Sequence, residues 1–594
     1  MATVLVEDAT NQFSSWLESF AQALEAKDSD VAIGLFGDDS YWRDLLAFTW
    51  TIQTFEGAPA IRAMLDQCLA STRPSSWAID GAARSSGDTI EGWLTFETKT
   101  ARGRGYARLK NGKCWTLMTA MMELKGFEEQ RGATRNLGSI PAASTDRRTW
   151  LERREAEVAQ LGTSVQPYCL IIGAGQGGLA LGARLKQLGV PTLIVDKQER
   201  TGDNWRNRYR SLCLHDPVWH NHMPYIPFPE HWPVFTPKDK VGDWLEMYAK
   251  VMELDIWTHT TCQNASYDAA AGRWTVIVDR DGKSVTLQPA HLILATGLAG
   301  MPSLPNFPGM ADFKGDQHHS SAHPGGKAYV GKQCVVVGSN NSAHDICSDL
   351  VENGASVTML QRSSTHVIKI DTFVRIQYAQ LYSEAAVESG ISTDLADLLS
   401  ASMPYRLIPE MQKAIYQRVA EEDAEFYARL EAAGFKYDFG EDGTGLAMLF
   451  LRRGSGYYID VGASEMIADG TIKIRNDAAI AAIKEHTVLL DDGSEIPADL
   501  IVYATGYGSM TGWAEKLISK QVADAIGPCW GLGSDTRQDL GPWEGELRNM
   551  WKPTAQEGLW FQAGNLAQSR HYSRYLALQL KARFEGLLTP VFVG

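Results

Sequence analysis

The chain has no paired cysteine motif. Its eight cysteines, Cys68, Cys114, Cys169, Cys213, Cys262, Cys334, Cys347 and Cys529, are scattered without a CxxC pair. That speaks against a disulfide framework or a zinc ribbon, and for free thiols in a reducing compartment. Long apolar runs are missing too: no stretch approaches the ~20 residues that span a bilayer. The opening MATVLVEDATNQF lacks the basic start and apolar run of a secretory signal, and the closing TPVFVG matches no lipidation or peroxisomal signal. Positive charge is in deficit. Against 71 acidic residues stand 56 basic ones, a net charge of −15, which argues against a nucleic-acid surface. A soluble, cytoplasmic, globular protein is expected. Its 594 residues, 44% of them hydrophobic, suffice for more than one core.

The first 125 residues have a texture of their own. In NQFSSWLESFAQALEAKD, Phe13, Trp16, Leu17, Phe20 and Leu24 follow the spacing of one helix face, and Ile61, Met64, Leu65, Cys68 and Leu69 mark a second helix. Alternating segments follow, TIEGWLTFET, GRGYARLK and KCWTLMTAMMEL, the last two joined by Asn111-Gly112, the dipeptide of a type I′ hairpin. These features, with DDSYWRDLLAFTWTIQTFEG, resemble the SnoaL/NTF2-like cone fold. A pocket there would draw on Asp39, Tyr41, Arg43 and Asp44; a packing or dimerising module without chemistry is the expectation. Residues 126–165 have linker composition, closing with a helix near Thr145 to Leu161.

At Tyr168 the pattern changes. YCLIIGAGQGGLALGARLKQLGVPTLIVDK reads as a buried strand, a glycine turn, a helix and a second strand ending in an acid. Gly173, Gly175 and Gly178 fill GxGxxG, where the glycines permit a tight turn, close approach to a pyrophosphate and helix–strand packing. The helix start then offers N–H groups to the phosphates, and Asp196 stands where a carboxylate takes a ribose hydroxyl. Lys197 follows it.

A second unit, VVVGSNNSAHDICSDLVENGASVTMLQRSS, repeats the plan with Gly338, Asn340 and Ala343 in the three glycine places. Ser339, Asn341 and Ser342 complete the loop. Arg362, followed by Ser363, ends its second strand where the first unit has Asp196. An acid there suits a free 2′-hydroxyl and an arginine a 2′-phosphate, so the first unit is expected to hold FAD and the second NADPH. HLILATG and DLIVYATGY read as strands stopped by Ala-Thr-Gly, with Thr296 and Gly297 closing the first.

Between the units lies FKGDQHHSSAHP. Phe313, Gly315 and His319 match the FxGxxxH fingerprint, and residues from about 165 to 590 resemble the class B flavoprotein monooxygenases, which hold the flavin-containing and Baeyer–Villiger monooxygenases. His323 stands where an aromatic residue separates those two families. The resemblance implies that His319 is a linker residue coupling domain movement to cofactor binding. The clusters His318/His319/His323 and His215/His220/His222 show no ordered spacing with cysteine or carboxylate partners, so no metal site is expected. TGDNWRNRYRSLCLHDP resembles the group's GGxW segment and places Gly202 and Trp205 near the flavin. LHDP, FPEHWP and LEMYA resemble plant indole-3-pyruvate monooxygenases. GLWFQAGNLAQSRHYSRYLALQLKAR, with the N-terminal module, resembles fungal members, and Asn565 and Gln568 would either sit over the flavin or serve as a structural helix start. His215 takes the place of a family active-site asparagine, which makes His215 and Asp216 the candidate catalytic residues beside a flavin that carries the chemistry.

The expected fold is α/β: two Rossmann-like dinucleotide-binding domains behind an α+β NTF2-like cone. The expected division begins with the cone at 1–125 and the linker at 126–165. The FAD-binding domain is then built from two separate segments, 166–325 and 506–594, which enclose an NADP domain at 326–505 with a helical insertion at 370–455. The resemblance implies an NADPH- and O2-dependent FAD monooxygenase acting on a small organic substrate through a flavin C4a-(hydro)peroxide. N- or S-oxygenation and oxidative decarboxylation of a 2-oxo acid are the expected reactions, with Baeyer–Villiger insertion as an alternative. A disulfide reductase is disfavoured by the scattered cysteines, and a non-catalytic flavin-binding redox sensor by the two intact loops. A homodimer is compatible with the cone module; neither nucleic acid nor a membrane span is expected.

Overall fold

The computed structural model describes residues 2–138, 148–534 and 546–593. A stretch of the linker, 139–147, lies outside these residues. The linker helix runs Trp150–Gln160 and opens on a capping box between Thr149 and Glu152.

In the N-terminal unit, helix Ala2–Glu25 buries Phe13, Trp16, Leu17, Phe20 and Leu24, and helix Gly57–Thr72 buries the five residues of its apolar stripe. They pack on a seven-stranded sheet in the order Ile52–Glu56, Phe36–Leu45, Lys113–Leu124, Ala101–Lys110, Thr89–Glu97, Ser75–Ile79, with Arg84–Ser86 paired to Thr89–Glu97. Phe20 sits 5.8 Å from Phe36 and 5.6 Å from Trp42, ring centre to ring centre, so helix and sheet share one aromatic core. Asn111 and Gly112 take φ of 51° and 76°, the positive values of the expected hairpin turn.

Two parallel sheets build the rest. The first has the order Ile256–Trp257, Thr192–Val195, Cys169–Ile172, His291–Leu294, Leu559–Phe561. Its strands from Cys169, Thr192, His291 and Leu559 are buried throughout, as a parallel sheet covered on both faces requires. The second has the order Asp316–His319, Leu500–Tyr503, Gln333–Val337, Ser356–Leu360, Ile472–Arg475. Its first member is the histidine-rich stretch, so the chain has entered the second sheet by Asp316, ahead of residue 326.

In each sheet the order of strand addition reverses between the glycine-loop strand and the Ala-Thr-Gly strand, which are parallel neighbours in both. Ligands bind open α/β sheets at such a switch point, outside the carboxyl ends of the strands. A three-stranded antiparallel ribbon hangs from each sheet, over Thr260–Leu287 in the first and Ile480–Pro497 in the second. The insertion is a set of helices from Ile370–Gln377 to Gly445–Arg453, framed by the strand pair His366–Lys369 and Tyr457–Asp460.

The last helix, Leu566–Phe584, returns to the first sheet's glycine-loop helix. Arg184 donates there to Ser573 Oγ at 3.0 Å and to Arg570 O at 2.9 Å. The tail then reaches the N-terminal unit, where Phe592 N donates to Thr49 O at 2.9 Å. Among the described residues no helix is long and apolar enough to cross a membrane.

Candidate functional site

The first glycine loop joins strand Cys169–Ile172 to helix Gln176–Gln187. Gly173 has φ of 113°, and a Cβ on it would lie 2.5 Å from Ala295 O; one on Gly178 would lie 1.9 Å from Gly173 O. No larger residue fits either place. Gly175 is the helix cap, with φ of −79°, and its missing side chain leaves room beside Asn204. Asp196 accepts from Ala174 N at 2.6 Å and from Gln198 N at 2.8 Å, which ties the acid to the loop; Lys197 is exposed next to it. Gly202 turns the chain at φ of 93° against Gly242 O. Trp205 Nε1 donates to Gln176 Oε1 at 3.2 Å, which sets the indole on the loop. From the other side Gln176 Nε2 donates to Gly564 O at 3.2 Å, beside Asn565, whose Oδ1 caps the last helix by accepting from Gln568 N at 2.9 Å.

The second loop repeats this geometry with larger residues. Gly338 has φ of 124°, and its Cβ would lie 2.4 Å from Ala504 O. Asn340 caps helix Asn341–Glu352 at φ of −94°, a conformation open to any residue, so a glycine is not required there. Ala343, fully buried, has room for the methyl that Gly178 lacks. Ser339 and Thr365 share a hydroxyl bond of 2.8 Å, and Asn341 Oδ1 accepts from Ile459 N at 3.0 Å, tying the loop to the strand that follows the insertion. Ser342 is half-buried on the helix's first turn. Arg362 and Ser363 are exposed past the end of strand Ser356–Leu360, and Arg362 forms no ion pair among the described residues.

Where the sheets meet, His319 Nε2 donates to Gly506 O at 2.9 Å and Nδ1 accepts from Ser321 N at 3.1 Å, so one ring joins the connector to the end of strand Leu500–Tyr503. His318 Nε2 and His323 Nδ1 are 3.1 Å apart, and burial lowers the His323 pKa to about 4. These nitrogens are engaged by the protein itself. Tyr209, fully buried, donates to Asp345 Oδ2 at 2.8 Å and links the first nucleotide unit to the second unit's helix. Burial raises the Asp345 pKa, while His215 and the Tyr209 bond work the other way. Ser211 Oγ lies 3.5 Å from Asp345 O, so the stretch leading to His215 runs along the junction of the two units.

Asp216 reaches the insertion: its Oδ1 accepts from Tyr378 OH at 2.6 Å, and its other oxygen is 3.7 Å from His220 Nδ1. Burial and the Asp216 carboxylate both raise the Tyr378 pKa, which keeps its proton on the phenol.

The residues around the first loop fit a bound dinucleotide. Asn204 Oδ1, Thr296 Oγ1 and Gln562 Oε1 are buried without a hydrogen-bond partner among the described residues. Each belongs to a residue bordering the loop: Asn204 at Gly175, Thr296 at Gly173, Gln562 at Gly177. Buried polar atoms are nearly always satisfied, and three such atoms around one glycine loop fit a polar ligand there, although other unpartnered atoms lie elsewhere in the fold. Gly297, at φ of 80°, follows Thr296 with open space where a side chain would start. Tyr507 OH is unpartnered in the same way after the second Ala-Thr-Gly. Asn204, Gln562 and Tyr507 are not singled out by any motif, although each falls within a segment that carries the family resemblance or an Ala-Thr-Gly stop.

A cavity of about 660 Å³ opens between the turn after Trp205 and the connector, lined by Arg206, Arg208, Arg210, Lys238 and His323. Arg206 is paired to Asp203, Asp243 and Glu246. Arg208 forms no ion pair among the described residues and lies 5.9 Å from the Tyr507 ring.

Comparison with known proteins places this geometry. The family model for pyridine nucleotide-disulphide oxidoreductases matches residues 170–395. An indole-3-pyruvate monooxygenase of Oryza sativa subsp. japonica, YUCCA1, is 32% identical over 363 residues, 60% of this chain and 79% of the relative. A probable indole-3-pyruvate monooxygenase of Arabidopsis thaliana, YUCCA3, is 28% identical over 393 residues, 65% of this chain and 80% of the relative. Among solved structures, cyclohexanone monooxygenase bound to ε-caprolactone superposes with a TM-score of 0.50 at 17% identity, covering 71% of this chain and 88% of that one, a likeness of fold. The chain belongs to the class B flavoprotein monooxygenases. It is a flavin-dependent NADPH monooxygenase whose cofactors are FAD and NADPH. The eight cysteines are all free thiols, and seven of them are buried.

Proposed function

We propose that the chain oxygenates a small organic 2-oxo acid, releasing carbon dioxide and the acid shortened by one carbon. The carrying observation is the likeness to indole-3-pyruvate monooxygenases over four fifths of their length. The guanidinium of Arg208, which forms no ion pair among the described residues, lines the cavity and is a group suited to a carboxylate. The reaction balances as 2-oxo acid, O2, NADPH and a proton giving carboxylic acid, carbon dioxide, water and NADP⁺.

In this reading the loop with Gly173, Gly175 and Gly178, with Asp196, Gly202, Trp205, Thr296, Gly297 and Asn565, holds FAD. The loop from Gly338 to Ala343, with Arg362 and Ser363, holds NADPH. FAD supplies the redox and oxygen-activating chemistry when bound. The chain's own residues orient and screen: His319 ties the connector to Gly506, Tyr209 and Asp345 hold the nucleotide units in register, and the junction residues keep water out. The Tyr378 phenol, which keeps its proton, donates it in a hydrogen bond to Asp216 Oδ1, next to His215 in the chain. Residues 2–124 are read as an NTF2-like cone packed on this body.

The test is product analysis with NADPH and O2. Indole-3-pyruvate and phenylpyruvate are compared with a thioether and a cyclic ketone, following carbon dioxide and hydrogen peroxide. Carbon dioxide matched to NADPH consumption, with the shortened acid formed, supports the proposal. An ester from the ketone or a sulfoxide as the only coupled product overturns it.

A further inference from the structure

Arg43 belongs to neither nucleotide loop, yet three distant regions of the chain, around residues 401–405, 546 and 572, converge on it. It stands on strand Phe36–Leu45 of the N-terminal sheet with 0% side-chain exposure. Its neighbour Asp44 turns into the N-terminal unit, bonded by Thr119 and Thr49. Arg43 turns outward, as strand alternation requires. Its Nε donates to Glu546 Oε1 at 2.7 Å, and its two terminal nitrogens to Ala401 O at 2.6 Å and Tyr572 OH at 3.3 Å. The Tyr405 ring covers the guanidinium at 4.4 Å. Thr54 donates to the other oxygen of Glu546 at 2.8 Å.

Apolar contact alone would hold two domains together. A buried ion pair with every bond made is directional and sets register. What it registers is the end of one insertion helix. Helix Thr393–Ala401 finishes on the carbonyl that Arg43 takes, and a second arginine of the same sheet, Arg108, donates to Ser402 Oγ at 2.9 Å. Cations at a helix carboxyl end satisfy its free carbonyls and meet its dipole.

One turn back, Asp397 accepts from Arg570 through both oxygens, at 2.8 and 2.7 Å, with both side chains buried. Arg570 in turn donates to His220 O at 2.8 Å and His222 O at 2.6 Å. Those carbonyls belong to the loop that begins with His215 and Asp216. The chain of contacts from the N-terminal sheet to that loop is unbroken.

We propose that the N-terminal domain is a positioning element of the monooxygenase site: Arg43 and Arg108 fix the carboxyl end of helix Thr393–Ala401, and that helix, through Asp397 and Arg570, fixes the 216–222 loop. The proposal rests on placing His215 and Asp216 at the reaction site.

The experiment uses the full-length, FAD-loaded protein and two variants. Arg43→Met with Glu546→Gln removes both charges together, so neither is left buried alone; Arg108→Leu acts on the helix end independently. Amide hydrogen exchange is read first. Both variants are expected to speed exchange at 393–401 and 216–222 by about tenfold or more, while strands Thr89–Glu97 and Lys113–Leu124 keep their protection. Anaerobic flavin reduction by NADPH stays within about twofold, and substrate-free conversion of NADPH and O2 to hydrogen peroxide rises about fivefold. Faster exchange confined to the N-terminal sheet and residues near 546 overturns the proposal, since the arginines then only glue two domains. A loosened 216–222 loop with unchanged peroxide release overturns it differently, by removing that loop from the reaction site. A wild-type protein whose flavin NADPH does not reduce would instead contradict the assignment of the two nucleotide loops.

Discussion

The carbonyl oxygen of Ala504 lies 2.4 Å from where a side chain on Gly338 would begin, and Ala295 stands in the same relation to Gly173 at 2.5 Å. In both nucleotide units the alanine of Ala-Thr-Gly is thus packed on the first glycine of the loop. The repeated Ala-Thr-Gly and the two glycine turns are one feature seen from neighbouring strands. Each glycine also has strongly positive φ, so a side chain is refused twice, by space and by backbone.

Gly338→Ala is therefore expected to slow flavin reduction by NADPH at least about tenfold while the protein keeps its FAD, and Gly173→Ala to lose FAD itself. Flavin absorbance per chain and anaerobic reduction by NADPH separate the two effects.

Arg362 is exposed and unpaired among the described residues at the end of its strand. Arg362→Ser should raise the KM for NADPH about 10- to 100-fold, the worth of charge-assisted phosphate bonds, and leave the KM for NADH unchanged. Equal loss with both nucleotides would remove Arg362 from the 2′-phosphate site.

Tyr209 and Asp345 form the buried bond between the two nucleotide units. Tyr209→Phe leaves the Asp345 carboxyl short of a donor in a buried place. The expected loss is about 1–3 kcal/mol in denaturant unfolding.

His366 is fully buried, donates through Nδ1 to Asp438 O at 2.9 Å, and has its pKa lowered by burial to about 4. Between that value and the ordinary value of 6.5 the unfolded chain binds a proton that the folded chain does not, so stability is full above pH 6.5 and falls as pH drops towards 4. The slope amounts to about 3 kcal/mol across this window. His366→Gln should lessen the fall of Tm between pH 7 and 4 by this share, His323 and the other buried histidines keeping theirs.

Much of the candidate site's backbone geometry was legible because a glycine loop is a local device. Strand, glycine turn, helix and strand-end charge occupy some thirty consecutive residues, and each glycine has a steric reason to be there. The N-terminal helices were legible for the same reason, since their apolar stripes are complete within one segment. The two antiparallel ribbons escaped notice, although Asp281-Gly282 and Asp492-Gly493 carry the hairpin signal at their turns. The histidine-rich connector could not be placed from its own residues: Asp316–His319 is a strand only because Leu500–Tyr503 lies beside it.

By itself the sequence determined two dinucleotide units, their glycine turns and the opposite charges at their strand ends, because those patterns follow from backbone sterics and short-range spacing. The tertiary structure alone decided what Arg43, Asp397 and Arg570 do. Their partners stand at positions 546, 401, 572, 220 and 222. No local pattern brings such residues together; burial of a charge forces it to find its partners wherever the fold delivers them.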